Sequence, residues 1–400
     1  MRVVVSGFDS RGGVEPLVAL AVRLREQGAE VRVCLPPDEE FEKRLAGVGV
    51  PMIPFGQEVR PLATAATPVA AQSLPQRAAQ VIANQHLALD QAADGADVLV
   101  ATGVMPACAG ARSLADQRGL KYVYATFQQL TLPSPYHPPI AYPGRAFPPD
   151  ADIPAMWEWD RDSINLLFRD ALNTHRTELG LPPVDDVREY VIGDRPLLAA
   201  DPVLSPWRRP ADLDVVQTGA WLLPDDRPLP SDLREFLDAG EPPVYVGFGS
   251  MPMRGSTDLG RVVIDAVRAH GRRAVLSRGW ADLGAVADDC FVVGESNHQA
   301  LFRRAAAIVH HGGAGTTVTA ARSGSPQVVV PQAADQPYWA SRVAALGIGA
   351  AHDGPVPTVE SLTAALEVAL RPATRARAAV VAGTIRGDGA SMAANLLLGA

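Results

Sequence analysis

Short apolar runs, each closed by a turn and followed by a helical stretch, occur along this chain in two series, and few folds accommodate that arrangement. In the first series an apolar run at 2–6 leads into a turn-rich loop at 7–13, an amphipathic helix at 15–27 and a second strand at 30–35. Further apolar runs at 97–102 and 122–126, with a helical stretch at 76–92 before them, continue the pattern. Strands that alternate with helices imply a parallel sheet, because the chain must cross over before the next strand can start. The second series opens near Pro242 with VYVGFGS at 244–250 and runs through 273–280, 290–295, 307–313 and 327–332. These runs are apolar almost throughout, as strands covered on both faces are. The prolines and charges of 201–230 separate the two series as a linker does.

The sequence therefore predicts two α/β domains with a cleft between them: residues 1–205, a linker at 206–228, and residues 229–385. The short apolar helix expected within 386–400 either crosses back onto the first domain or is an ordinary capping helix. At 400 residues the chain has room for both cores. No apolar stretch reaches membrane-spanning length, and the N-terminus has no secretory pattern, so a cytoplasmic protein is expected. A net charge of −8 provides no basic stripe for nucleic acid. Cys34, Cys108 and Cys290 are widely spaced and odd in number, which suggests buried thiols rather than disulfides or a metal site. The proline-rich stretch 132–154 reads as extended loop, either solvated or forming a wall of a binding cleft, with Trp157 and Trp159 adding weight to the cleft.

The sharpest chemical signal is IVHHGGAGTT at 308–317, where a strand ends in two histidines, small residues follow, and a helix begins near Thr316. Glycines let a ligand approach the backbone, and the free N–H groups and dipole of a helix start attract phosphate. His310 and His311 make a weaker metal site, since neighbours on a strand face opposite ways. Further on, Asp335 and Gln336 follow a strand at the carboxyl edge of the sheet, where ligands of open α/β sheets bind. Together they supply acceptors and donors for sugar hydroxyls. GFGS at 247–250 could bring Ser250 toward the same phosphates, whereas the first-domain loop GFDSRGGV at 7–14 lacks the dinucleotide fingerprint.

These segments, with SRGGVEPLVAL at 10–20, ADPVLSP at 200–206, VQTGAW at 216–221, VGESNHQ at 293–299 and PQAADQPYWA at 331–340, resemble the inverting GT-B glycosyltransferases that decorate vancomycin-group glycopeptides. The resemblance covers nearly the whole chain. It implies two Rossmann-like parallel-sheet domains facing a cleft, the first binding the acceptor and the second a nucleotide sugar. Ser250, His311, Gly313, Ala314, Gly315 and Thr316 would surround the diphosphate. Trp280, Glu295, Ser296, Asn297, His298 and Gln299 would face the base and ribose, Asp335 and Gln336 would hold the sugar, and Arg11 is counted with the donor contacts. Ser10, Phe127, Gln128 and Tyr136 would meet the acceptor.

The resemblance implies no metal and no cofactor beyond the donor; a monomer is expected, and the acidic charge and the lack of a membrane-length apolar stretch predict binding to neither nucleic acid nor membrane. The donor expected is UDP-glucose or UDP-N-acetylglucosamine, with a dTDP-deoxyaminosugar next, and the acceptor a hydroxyl of a glycopeptide aglycone. The family pattern reads SRGD where this chain reads Ser10-Arg11-Gly12-Gly13, and the missing Asp is the family's presumed general base. Asp9 and Glu15 are the candidates to replace it, and the sequence leaves the choice open. The Gly13 variant resembles the subgroup that modifies a benzylic alcohol. A sugar-nucleotide epimerase of the same architecture and a noncatalytic sugar-nucleotide-binding helper are the alternatives.

Overall fold

The computed structural model describes residues 1–64, 74–142, 144–209, 213–249, 251, 253, 258–279 and 289–399. They form two units, one of residues 1–200, 206–223 and 387–400, the other of residues 201–205 and 224–386. The stretch 206–223 thus carries structure of the first unit, including its last strand.

The first unit holds seven strands, β1 (Arg2–Phe8), β2 (Glu30–Leu35), β3 (Met52–Pro54), β4 (Val98–Gly103), β5 (Lys121–Thr126), β6 (Leu197–Leu198) and β7 (Val216–Gln217). They lie in the order β3-β2-β1-β4-β5-β6-β7, every neighbouring pair parallel. Successive strand residues face opposite sides. Val3, Val5, Val31, Val33, Val98 and Val100 therefore form one core with Leu17, Leu20 and Leu24 of helix α1 (Arg11–Glu26). On the other face the helix Leu74–Ala92 sends Gln85 to the Ser6 hydroxyl at 2.8 Å, a buried bond that ties helix to sheet.

Helix α1 starts at Arg11 rather than near Glu15, because the Ser10 carbonyl already accepts the N–H groups of Gly13 and Val14 at 3.0 and 3.2 Å. Pro16 sits inside the helix. The helix Gly389–Leu398 packs on α1 through Ala390, Ala393, Ala394 and Leu397. Its first residue meets the chain at 219–220 so closely that a Cβ there would strike the Gly219 and Ala220 carbonyls.

The second unit holds β8 (Val244–Gly247), β9 (Ala274–Ser277), β10 (Cys290–Val293), β11 (Ala307–His310), β12 (Gln327–Val329) and β13 (Gly349–Ala351), in the order β10-β9-β8-β11-β12-β13 and again all parallel. Val244, Val246, Leu276 and Val309 face one core, closed by the helices Leu259–Arg268 and Val359–Ala369. Tyr245, Val275 and Ile308 face another, closed by Leu233, Leu237, Leu301 and Phe302. Burial on both faces is why these strands are apolar without alternation. In each sheet the strand order reverses once, between β1 and β4 and between β8 and β11, and ligands of such sheets bind beyond the strand ends at that reversal. Among the described residues no helix is long and apolar enough to cross a membrane.

Gly389→Ala is expected to destabilise the first unit by about 1–3 kcal/mol, since the added methyl has only backbone to push against. A urea melt monitored in that unit checks this, and an unchanged midpoint would show that the helix end yields freely.

Candidate nucleotide-sugar site

In the second unit β11 ends at His310, which lies on the strand that borders the order reversal. The His310 ring is fully buried and bridges two elements: its Nδ1 accepts the Gly312 N–H at 3.1 Å, and its Nε2 pairs with Gln327 Oε1 of β12 at 2.9 Å. An accepting Nδ1 places the ring proton on Nε2, which then donates to the amide oxygen. Burial pulls the His310 pKa down to about 4, so the ring is neutral at neutral pH. Gly312 turns the chain at φ +94, and a helix begins at Ala314. The N–H groups of its first turn, Ala314 to Thr316, have no acceptor within the helix. Thr317 closes back on the Gly313 carbonyl through both its amide and its hydroxyl, each at 2.9 Å.

His311 points elsewhere. Its ring lies against Gly313, where a Cβ would come within 2.6 Å of Nε2, and against Gly249 after β8, where a Cβ would come within 3.2 Å of Cε1. Any larger residue at 313 would therefore displace the imidazole. His311 Nδ1 is shut off from solvent and has no hydrogen-bond partner among the described residues. Burial, with a smaller contribution from His310, pulls its pKa down to about 3, so His311 too is neutral. The two rings sit 6.5 Å apart at 87°, and His310 is engaged on both nitrogens, so they do not converge as metal ligands. Among the described residues no group of three metal-ligating side chains occurs.

Beyond β12, Asp335 immediately precedes the helix Gln336–Ala345, with Ala334 before it at φ +54. Asp335 Oδ2 accepts the Trp339 indole N–H at 2.7 Å, one helical turn on. Removal from water raises the Asp335 pKa, and the Trp339 hydrogen bond opposes that rise. Gln336 is buried, and its Oε1 accepts the N–H groups of Gln332 and Ala333 at 2.7 and 3.2 Å, so it braces the loop that presents Asp335. The signal for Trp339 was present in the sequence as an i, i+4 pair on a helix start.

The segment 295–299 is held from within. Asn297 caps the helix His298–Phe302 and donates to the Asp225 and Arg227 carbonyls at 2.6 and 2.8 Å. His298 bonds to the Tyr245 hydroxyl at 3.0 Å and stacks on Phe302, while Glu295 pairs with Arg227 at 3.1 Å. Ser296 Oγ is buried without a partner among the described residues, and Gln299 is half-buried beside it in sequence. Ser250 and Trp280 lie outside the described residues.

In the first unit Ser10 is the N-cap of α1, and its own N–H donates to Asp9 Oδ1 at 2.6 Å. Glu15 accepts from Arg44 at 2.9 and 3.2 Å and from Arg11 at 3.3 Å. Phe127 packs edge-on against Trp221, and Gln128 caps the turn Gln129–Thr131, so both are committed to local structure. Tyr136 is exposed, with the Arg208 guanidinium over its ring. The proline-rich stretch lines a concavity of about 500 Å³ through Pro133, Pro135 and Pro154, with Trp157 and Arg188 beside them. Arg188 is held there by a buried ion pair with Asp160 at 3.0 Å, a partnership with no signature in the sequence.

Residues 263–391 match the family model described as the C-terminal domain of erythromycin biosynthesis protein CIII-like proteins. The chain is 53% identical over 402 residues to the vancomycin aglycone glucosyltransferase of Amycolatopsis orientalis, covering 100% of this chain and 98% of that protein. It is 50% identical over 391 residues to the dTDP-epi-vancosaminyltransferase of the same organism, covering 95% and 93%. The solved structure of the glycosyltransferase VinC in complex with DTDP superposes with a TM-score of 0.69 at 22% identity, covering 100% and 98%.

The depressed pKa values of His310 and His311 give a pH dependence with a definite sign. Between about 6.5, the unfolded value, and the folded values near 4 and 3, the unfolded chain binds more protons than the folded one. Stability should therefore be full above pH 6.5 and fall as pH drops toward 4, by an amount of order 3 kcal/mol for the fully buried His310. Urea midpoints of the second unit at pH 7 and pH 4.5 test this, with His310→Asn expected to flatten part of the slope.

Proposed function

This chain belongs to the vancomycin-group glycosyltransferases, and from that premise we propose that it moves a hexose from a UDP-sugar to a hydroxyl of a glycopeptide aglycone, with inversion at the anomeric carbon. UDP-glucose or UDP-N-acetylglucosamine is the preferred donor and a benzylic alcohol the preferred acceptor. A dTDP-deoxyaminosugar is the second choice of donor, supported by the name of the dTDP-epi-vancosaminyltransferase relative. In this reading the second unit takes the donor and the first the acceptor.

The observation that carries the donor assignment is the turn at 311–316. Its open N–H groups face the end of the sheet at the order reversal, and an imidazole nitrogen beside them is buried without a partner among the described residues. In an inverting displacement the acceptor oxygen bonds to the anomeric carbon as the bond to the diphosphate oxygen breaks, so negative charge grows on the diphosphate. Helix N–H groups and dipole oppose that charge without having to reorganise. Because His311 is neutral, its contribution is a donated hydrogen bond rather than a positive charge. Asp335, fixed by Trp339 and presented by the Gln336-braced loop, is oriented to accept from sugar hydroxyls. Ser296 and Gln299 are the members of the 295–299 segment assigned to the nucleoside, with Glu295, Asn297 and His298 shaping that wall.

Incubation with UDP-glucose, UDP-N-acetylglucosamine and dTDP-sugars, with and without a vancomycin-type aglycone, tests the reading by mass. The expected product is aglycone plus one sugar. Donor consumption without a glycosylated aglycone would instead mean hydrolysis or epimerisation. Asp335→Ala is expected to lower transfer by about 10²-fold or more, the usual size of one lost transition-state contact, and full retained activity would remove Asp335 from the sugar site.

A further inference from the structure

We infer that Asp9 is the general base of the transfer, and that Gly13 is glycine in order to make room for it; the inference rests on the function proposed above. Asp9 stands between the end of β1 and the start of α1, at the carboxyl edge of the first sheet and just after a strand that borders its order reversal. Its Oδ1 accepts the Ser10 N–H at 2.6 Å. That bond folds the carboxylate back over the first turn of α1. A Cβ built on Gly13 falls 2.6 Å from both Cβ and Cγ of Asp9, and nearer still to Oδ2. No side chain fits at 13 while Asp9 is so placed.

Backbone conformation gives no other reason for this glycine. Gly13 lies inside a helix, is buried, and has no positive φ. A helix disfavours glycine there, so the space it leaves for Asp9 accounts for the residue. A carboxylate absent from position 13 is in this way supplied from position 9 into the same volume. Burial, with a smaller contribution from the Asp9 charge, pushes the Cys108 thiol up.

Glu15 is the other nearby carboxylate. Its two oxygens accept from the guanidinium groups of Arg44 and Arg11. It also lies in the second turn of α1, beyond the loop. In the step assigned to Asp9, the acceptor O–H proton passes to the Asp9 carboxylate as the acceptor oxygen bonds to the anomeric carbon. The nucleoside diphosphate departs with the electron pair of the broken bond, and the proton is afterwards released to water.

The test measures kcat for transfer together with the dissociation constant for UDP. Asp9→Asn, which can still accept from the Ser10 N–H, is expected to lower kcat by about 10² to 10⁴-fold, the usual contribution of a general base, with UDP affinity unchanged. Gly13→Ala, which leaves Asp9 in the chain but displaces its carboxylate, is expected to lower kcat at least tenfold. The double variant D9A/G13D, which carries the carboxylate from 13, is expected to recover at least tenfold over D9A. Wild-type kcat in Asp9→Asn or in Gly13→Ala overturns the assignment, and the Gly13→Ala arm decides it if the Asp9 variants do not fold. A wild-type protein that glycosylates no acceptor overturns the proposed function itself, whereas wild-type transfer with an unimpaired Asp9→Asn overturns Asp9 alone.

Discussion

Parallel pairing is the constraint from which the chemistry of both units follows. Every strand pairing recorded within the two sheets is parallel, so each helical crossover returns the chain to the same end and each strand delivers its following loop to the same edge. With the strand order reversing once per sheet, crossovers leave in opposite directions and a crevice opens beyond those strand ends. The turn at 311–316 lies at one such reversal and Asp9 at the other. Neither location depends on the sequence of the loop itself.

Within the second unit that edge is built from close contacts and neutral groups. Gly249 and Gly313, after β8 and β11, leave just the space the His311 ring fills. His310, on the same strand end, is spent on structure: its two nitrogens lock the turn to β11 and β12. Burial strips both rings of charge. What remains to meet an anion is the helix N-terminus, whose partial positive charge does not titrate. The arrangement suits a diphosphate whose charge increases during the reaction, because fixed dipoles stabilise growing charge without taking up a proton.

Most of the architecture was legible because it rests on local periodicity. Apolar runs marked the strands, and the glycine-rich turn with its histidines marked the loop that follows β11 at the order reversal. Partnerships between side chains far apart along the chain were not legible. Asn297 ties down the chain at 225–227, and His298 bonds to Tyr245 of β8. Phe127 and Gln128 likewise serve their own surroundings, against Trp221 and the turn at 129–131. The start of α1 lies four residues before the expected 15, because the Ser10 carbonyl begins the helix earlier.

The sequence by itself determined the alternation of strands and helices, the two-unit plan and the kinds of group available at each loop, since periodicity and residue type are properties of short stretches. Tertiary structure decided which partners those groups meet. Asp9 and Glu15 are equivalent carboxylates on paper, and they differ in that Arg44, 29 residues from Glu15, folds against Glu15 while Gly13 leaves space beside Asp9. His310 and His311 are neighbours of identical chemistry, and they part because Gln327 of the adjacent strand claims one ring. Electrostatic and steric selection of this kind acts through space, so it comes into being only when distant segments are packed together.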